Sequence, residues 1–273
     1  MNSFENVKCI FIDIDNTLTN KDKEVTNYTK EILSKLNMYT IICTGRDNLY
    51  AIQKSKEANC SNIVIADNGA LIYDYNKDIT IYEKEIYKKI LNKVWNYSLK
   101  NNIDCVYNTK KSRYRNLIFK NNDYIKHDIL INSLEEITEP VTQIVASNKD
   151  YNKMIEFINY INNIKELKIN NTNINKKINS NKSYYCDINL CDVSKGDAAR
   201  ELIKYLNIYF ENTMAIGDSE NDISLFENVN YSVAMKNAVD SVKKKSKIIT
   251  EFTNNEDGLA KFVEKHVIEG EIK

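Results

Sequence analysis

Two aspartates, Asp13 and Asp15, follow the apolar run Val7–Ile12. That run suits a strand buried on both faces. Residues two apart at a strand end point the same way. The pair would then lie at the carboxyl edge of a parallel sheet, where ligands bind in such folds. Two close carboxylates repel each other and are stable only with a cation or a proton between them. A hard, oxygen-seeking ion such as Mg²⁺ fits. Taken alone, the pair is explained equally well as a strand end closed by an Asx turn.

Three further groups could complete a site. Thr44-Gly45-Arg46 follows a second apolar run and opens a helix, so a hydroxyl and backbone N–H groups could cradle a phosphate. Its plain alternative is an N-cap threonine. Lys195-Gly196 opens a later helix, and a lysine there could neutralise a phosphate or simply face solvent. Gly217-Asp218-Ser219-Glu220-Asn221-Asp222 follows a short apolar run. Asp218 could complete a metal site there, with Asn221 and Asp222 orienting it from outside.

The elements that must position these groups can be read from apolar periodicity. Strands are expected at Val7–Ile12, Tyr39–Cys43 and Ile63–Ala66, with helices at Thr26–Leu36 and Asp47–Ala58. This alternation predicts a parallel sheet with crossover helices. It returns with a helix at Lys195–Leu206, a strand at Thr213–Ile216 and a helix at Glu220–Phe226. Strands at Tyr231–Ala234 and Ile248–Thr250 and a helix at Gly258–His266 complete it. The middle reads as α+β. A helix is expected over Glu83–Leu99 and another over Tyr151–Ile161. Strands are expected at Cys105–Tyr107, Tyr114–Phe119, Gln143–Ser147 and Tyr184–Leu190. Asn170–Lys182 is polar and reads as either a hairpin or a loop. The predicted class is α/β. A doubly wound, mostly parallel Rossmann-like core would comprise residues 1–79 plus 191–273, and an α+β cap, residues 80–190, would be inserted in it.

Composition narrows the function. The chain has 273 residues, with 38 Lys+Arg and 38 Asp+Glu, so its net charge is zero. No broad basic surface for nucleic acid or anionic lipid follows from that balance. The six cysteines form no C-x-x-C pair and read as reduced thiols. No signal-peptide core opens the chain and no apolar stretch reaches ~20 residues. A soluble cytoplasmic protein is expected, as a monomer or small homo-oligomer. His127 and His266 are isolated in polar surroundings and are not read as metal ligands. Trp95 reads as core or half-core, and Tyr184-Tyr185 as packing or cleft lining.

All four groups recur in this order, each at a strand's carboxyl end. Asp13-x-Asp15-x-Thr17, Thr44, Lys195 and Gly217-Asp218-x-x-Asn221-Asp222 together resemble the four motifs of the haloacid dehalogenase superfamily. Asp67-Asn68-Gly69-Ala70 resembles the NGA turn of its Cof-type branch (subfamily IIB). Ala234-Met235-x-Asn237-Ala238 and Thr253-x-Asn255-x-Asp257-Gly258 resemble that branch's C-terminal signatures. The resemblance covers Lys8–Phe262 and implies a C2B-type cap between the second and third motifs. The family usually has Gly where this chain has Asn16, a residue that tolerates left-handed backbone.

The resemblance implies a magnesium-dependent phosphatase working through an aspartyl-phosphate. Asp13 would be the nucleophile and Asp15 the general acid and base. Mg²⁺ would sit on the side chains of Asp13 and Asp218 and the backbone carbonyl of Asp15, supported by Asp222. Thr44 and Lys195 would hold the phosphoryl oxygens, with Thr17, Gly45, Arg46 and Asn221 also at the phosphate. Phosphate-monoester hydrolysis can need ~10²¹-fold acceleration, about 29 kcal/mol. General acid–base catalysis supplies only about 10²–10⁴-fold, so covalent, metal and positioned-donor effects must act together. Retention of every expected polar group argues against a non-catalytic relative. The expected substrate is a small phosphorylated metabolite, a sugar phosphate foremost. A phosphomutase and a protein that holds a phospholigand without turnover are the alternatives. Arginine is confined to Arg46, Arg113, Arg115 and Arg200. Arg113 and Arg115 share a strand face, where they would either recognise an anionic or polyhydroxylated substrate or form a solvated surface.

Overall fold

The structure, a computed structural model, describes residues 4–116, 128–175 and 182–270. In chain order it runs β1 (Cys9–Ile12), α1 (Asn27–Ser34), β2 (Tyr39–Cys43), α2 (Asn48–Glu57), β3 (Ile63–Ala66), β4 (Leu71–Asp74) and β5 (Ile79–Glu83). There follow α3 (Lys88–Asn101), β6 (Asp104–Asn108), β7 (Arg113–Asn116), β8 (Asp128–Ile131), β9 (Gln143–Asn148), α4 (Tyr151–Asn162), β10 (Leu167–Thr172) and β11 (Tyr184–Leu190). The chain closes with α5 (Lys195–Tyr205), β12 (Thr213–Gly217), α6 (Ile223–Phe226), β13 (Tyr231–Ala234), α7 (Asp240–Lys243), β14 (Ile248–Ile249) and α8 (Gly258–Phe262).

The chain divides into two compact units. One comprises Met1–Arg46, Tyr50–Tyr82 and Ser194–Lys273, the other Asp47–Leu49 with Glu83–Val193. The sheet of the first runs β14-β13-β12-β1-β2-β3-β4-β5. The pairs from β14 to β3 are parallel and β4 is antiparallel to β3. β1 lies at the centre, between β12 and β2, and all four of its residues are buried. Its unbroken apolar run is what burial on both faces demands. Cys9 and Cys43 lie inside this core and all six thiols are free.

The second unit has a six-stranded sheet, β10-β11-β9-β6-β7-β8, antiparallel except for the parallel pair β7–β8. Ile90, Leu91, Val94 and Trp95 of α3 and Met154, Phe157 and Ile161 of α4 are buried. Trp95 packs against Tyr107 of β6 with ring centroids 5.7 Å apart, so it is core. Both units match the expected class, a mostly parallel α/β core with an inserted α+β segment.

Local departures from the expected elements have backbone causes. α3 begins at Lys88 rather than Glu83, because Glu83 ends β5 and Ile86 N donates to Val141 O at 2.8 Å. That bond keeps the approach extended. α3 ends at Asn102, whose φ of 55° is left-handed, a conformation Asn tolerates at a helix end. Residues 117–119 of the expected strand, 176–181 of the polar stretch and His127 lie outside the described residues. His266 is not in polar surroundings: it is buried against the rings of Phe4 and Phe262.

Candidate active site

Three strand ends and one helix start in the first unit carry the site. Asp13 directly follows β1, and its N–H donates to Ile216 O of β12 at 3.1 Å. That bond fixes it beside the strand leading to Asp218. Thr44 follows β2 and is almost wholly buried. Lys195 opens α5, whose N-cap Ser194 accepts from Asp197 N. Asp218 follows β12, and the turn Glu220–Asp222 leads into α6.

Lys195 is the hub. Its Nζ donates to Asp13 Oδ1 at 2.6 Å and to Asp222 Oδ1 at 2.7 Å, with all three side chains buried. The other oxygen of Asp222 accepts from the backbone N–H groups of Asp218 and Ser219, both at 3.0 Å. Asp222 is thus fully engaged by protein donors, which suits a supporting place. Thr17 Oγ1 donates to Asp218 Oδ1 at 3.3 Å.

Asp13, Asp218 and Asp222 bring carboxylate oxygens within 4.8 Å of one another. Three buried carboxylates face one ammonium, leaving two negative charges. Burial raises the Asp13 carboxyl well above its ordinary value, and the Asp222 and Asp218 charges add to this against Lys195. Burial and then the Asp222 charge push Asp218 up to about 7, against Lys195 and Thr17. For Lys195, burial opposes the charge, but Asp13 and Asp222 outweigh it and raise its pKa. An all-oxygen, doubly negative cluster fits a hard divalent cation such as Mg²⁺.

The Asp15 side chain points elsewhere. Arg46 binds it with two nitrogens, Nε at 2.8 Å and Nη2 at 3.1 Å, and Lys23 Nζ lies 2.6 Å from Oδ1. Burial works to raise this carboxyl, yet Arg46 and Lys23 prevail and hold it at about 2. Lys23 was not among the expected site residues. It lies in a tight turn, with a φ of 63°, where its carbonyl accepts from the buried Lys54 at 2.7 Å. Only a fold that returns Lys54 to that turn reveals it.

The loop after β1 is braced by the C-terminal segments. Asn16 adopts a φ of 60°, so the turn forms without glycine. Asn237 Nδ2 donates to Asn16 O at 2.8 Å, Asn254 Nδ2 to Thr19 O at 2.9 Å, and Lys21 N to Asn255 Oδ1 at 2.8 Å. Two stretches singled out in the sequence, around Asn237 and Asn255, therefore act on the segment after β1, at Asn16, Thr19 and Lys21, from over 200 residues away.

In the second unit Arg113 and Arg115 share a face, as their spacing implied, and both are already paired. Arg113 Nη1 donates to Asp47 at 2.9 Å. Its Nε lies 3.1 Å from Asp128 Oδ1, too poorly aligned for a hydrogen bond, so that pair is coulombic. Arg115 binds Asp128 at 2.6 Å and also Asp104.

The family model of the haloacid dehalogenase-like hydrolases matches residues 10–263. The 5-amino-6-(5-phospho-D-ribitylamino)uracil phosphatase YcsE of Bacillus subtilis is 27% identical over 271 residues, covering 96% of each chain. A haloacid dehalogenase-like hydrolase of Bacteroides thetaiotaomicron shares the fold with a TM-score of 0.81 at 22% identity, over 94% of this chain and 98% of the other. A HAD subclass IIB sugar phosphatase does so with a TM-score of 0.74 at 21% identity, over 94% and 98%. No described helix is long and apolar enough to cross a membrane. With its motif residues at three strand ends and the start of α5 and this match along nearly its whole length, the chain belongs to the haloacid dehalogenase-like hydrolases, in their Cof-type branch.

Proposed function

We propose that the protein is a Mg²⁺-dependent phosphatase that hydrolyses the phosphate ester of a small sugar or sugar alcohol through an aspartyl-phosphate on Asp13. The observation that carries the reading is the Lys195 ammonium held between Asp13 and Asp222 beside Asp218. Two of the relatives support the substrate class by their names: one is a sugar phosphatase, and the other acts on a phosphoribityl compound.

Lys195 takes Asp13 Oδ1, leaving Oδ2 to attack phosphorus. The bond to the leaving oxygen breaks as Asp15 supplies that oxygen with a proton. A water then attacks the phosphoryl-aspartate, Asp15 takes its proton, and inorganic phosphate leaves with Asp13 restored. Asp15 can carry a proton only when Arg46 and Lys23 loosen their hold. A phosphate dianion beside them offers those cations another partner. Thr44 and the N–H groups that follow it hold the phosphoryl oxygens. Mg²⁺ on Asp13 and Asp218 would offset the charge of the phosphate and of the carboxylates around it.

The test is phosphate release across a panel of phosphorylated metabolites, with Mg²⁺ or with chelator, and with Asp13→Asn in parallel. Release should require Mg²⁺, vanish in Asp13→Asn and rank sugar and sugar-alcohol phosphates first. Activity surviving in Asp13→Asn would remove the nucleophile assignment. Isomerisation without phosphate release would make the protein a mutase.

A further inference from the structure

We infer that Asn68 is a positioning residue of this site, setting the Asn221 amide and the Gly45 backbone against each other; the inference rests on the phosphatase reading above. The turn after β3 holds three consecutive left-handed residues: Asp67 at φ 51°, Asn68 at 58° and Gly69 at 100°. Single left-handed residues are common at turns, but a run of them needs its surroundings to hold it.

Those surroundings are the motif segments themselves. Asp67 N donates to Arg46 O at 2.9 Å, and Asn68 N donates to Thr44 O at 3.0 Å. On the other side, a Cβ on Gly69 would stand 2.2 Å from Ser194 O, next to Lys195. The turn is therefore wedged between the Thr44–Arg46 segment and the start of α5.

The Asn68 side chain completes the wedge. It is buried, and its Oδ1 accepts from Asn221 Nδ2 at 3.0 Å. The same oxygen would lie 2.7 Å from a Cβ on Gly45. Asn221 Oδ1 in turn accepts from Ser219 Oγ at 2.9 Å. One amide oxygen thus sets the spacing between the phosphate loop and the acidic turn, and the Asn221 amide is fixed at both ends. Asn satisfies both demands: it tolerates the left-handed backbone and brings an acceptor. Asn68 touches no reacting atom and acts through Gly45 and Asn221.

Asn68→Gly keeps the backbone freedom and deletes the oxygen. Its kcat/KM on p-nitrophenyl phosphate with Mg²⁺ should fall about 10–100-fold, the usual cost of losing a group that orients a site, while Tm stays within a few degrees. Asn68→Asp keeps an acceptor and the turn. It should hold kcat near wild type and raise KM, since its charge repels an anionic substrate. In a double-mutant cycle, Asn68→Gly added to Asn221→Ala should cost far less than it does alone, leaving only the part that acts through Gly45. Unchanged kinetics in Asn68→Gly, or losses that multiply in the double variant, would overturn the inference. If the wild type released no phosphate, the functional reading would fall separately. The same cycle would then be read from the rise in Tm that inorganic phosphate and Mg²⁺ produce. A rise diminished alike in both single variants and the double would uphold the coupling, and a rise untouched by Asn68→Gly would end it.

Discussion

Lys195 and Asp13 stand 182 residues apart in sequence and 2.6 Å apart in space. Both are buried, and the same ammonium reaches Asp222 on its other side. The lysine compensates the buried carboxylates before any substrate arrives, so the group that would receive phosphate also holds the unit's second half to its first.

Lys195→Met should therefore lose stability as well as activity. Removing one partner of a buried charged network costs about 3–5 kcal/mol, because the remaining charges are left without compensation. Urea unfolding measures this directly. Adding Asp13→Asn to Lys195→Met should recover part of the loss, and no recovery would mean that the pair is not charged as assigned.

The acidic cluster sets a pH dependence. Asp218 has a folded pKa of about 7 against an ordinary 3.8. The folded protein therefore binds the extra proton, and the associated stability is full below 3.8 and lost as pH rises through 7. Metal-free protein should lose stability as pH rises across that window. Mg²⁺ would bind the deprotonated cluster, so the difference in Tm between Mg²⁺ and chelator should widen from pH 5 to pH 8. Asp218→Asn should flatten the metal-free profile and abolish the response to Mg²⁺. A Tm difference independent of pH would place the ion elsewhere.

Lys23 makes a separate kinetic prediction. It and Arg46 together hold the Asp15 carboxyl at about 2. Lys23→Met removes one of the two cations, so Asp15 would keep the proton it donates to higher pH, and the basic limb of the kcat/KM profile should move upward. The turn itself is held by Lys54 and should persist. An unmoved basic limb would show that Lys23 does not act on Asp15 during turnover.

Arg115 is expected to matter for stability more than for selectivity. Its guanidinium already serves Asp128 and Asp104. Arg115→Ala should lower the resistance of the 83–193 unit to proteolysis while leaving the ranking of substrates in place. A changed ranking with unchanged stability would reinstate it as a recognition residue.

The core strands and the four motif positions were legible in the sequence because each rests on a local pattern. The apolar run before Asp13 and the Gly-Asp turn after β12 are examples. β4 was not expected, although Asn68-Gly69 between two apolar runs is a hairpin signal: Leu71–Asp74 turns back antiparallel to β3. Glu83–Tyr87 carried apolar spacing that suited a helix, and one backbone bond to Val141 made its end extended instead. Asn68 and Asn237 act through long-range contacts, and Lys23 reaches Asp15 from a turn that Lys54 holds, which no local spacing encodes. Asn68 and Asn237 stood out only as parts of family signatures, and their partners appear only in the folded chain.

The discontinuity of the first unit has a consequence for synthesis. A nascent chain makes Asp13, Thr44 and Asn68 first, then the whole inserted segment, and only afterwards Lys195, Asp218 and Asp222. The 153 residues between Asn68 and Asp222 take roughly eight to thirty seconds at about 5–20 residues per second. During that interval β1, the central strand, has no β12 beside it, so one edge of the growing sheet stands open. The inserted unit, whose strands all lie between Asp104 and Leu190, can complete its own sheet within the same interval. Folding order can thus run against sequence order: the middle of the chain can close before the beginning, while Asp13 waits on the ribosome for its lysine.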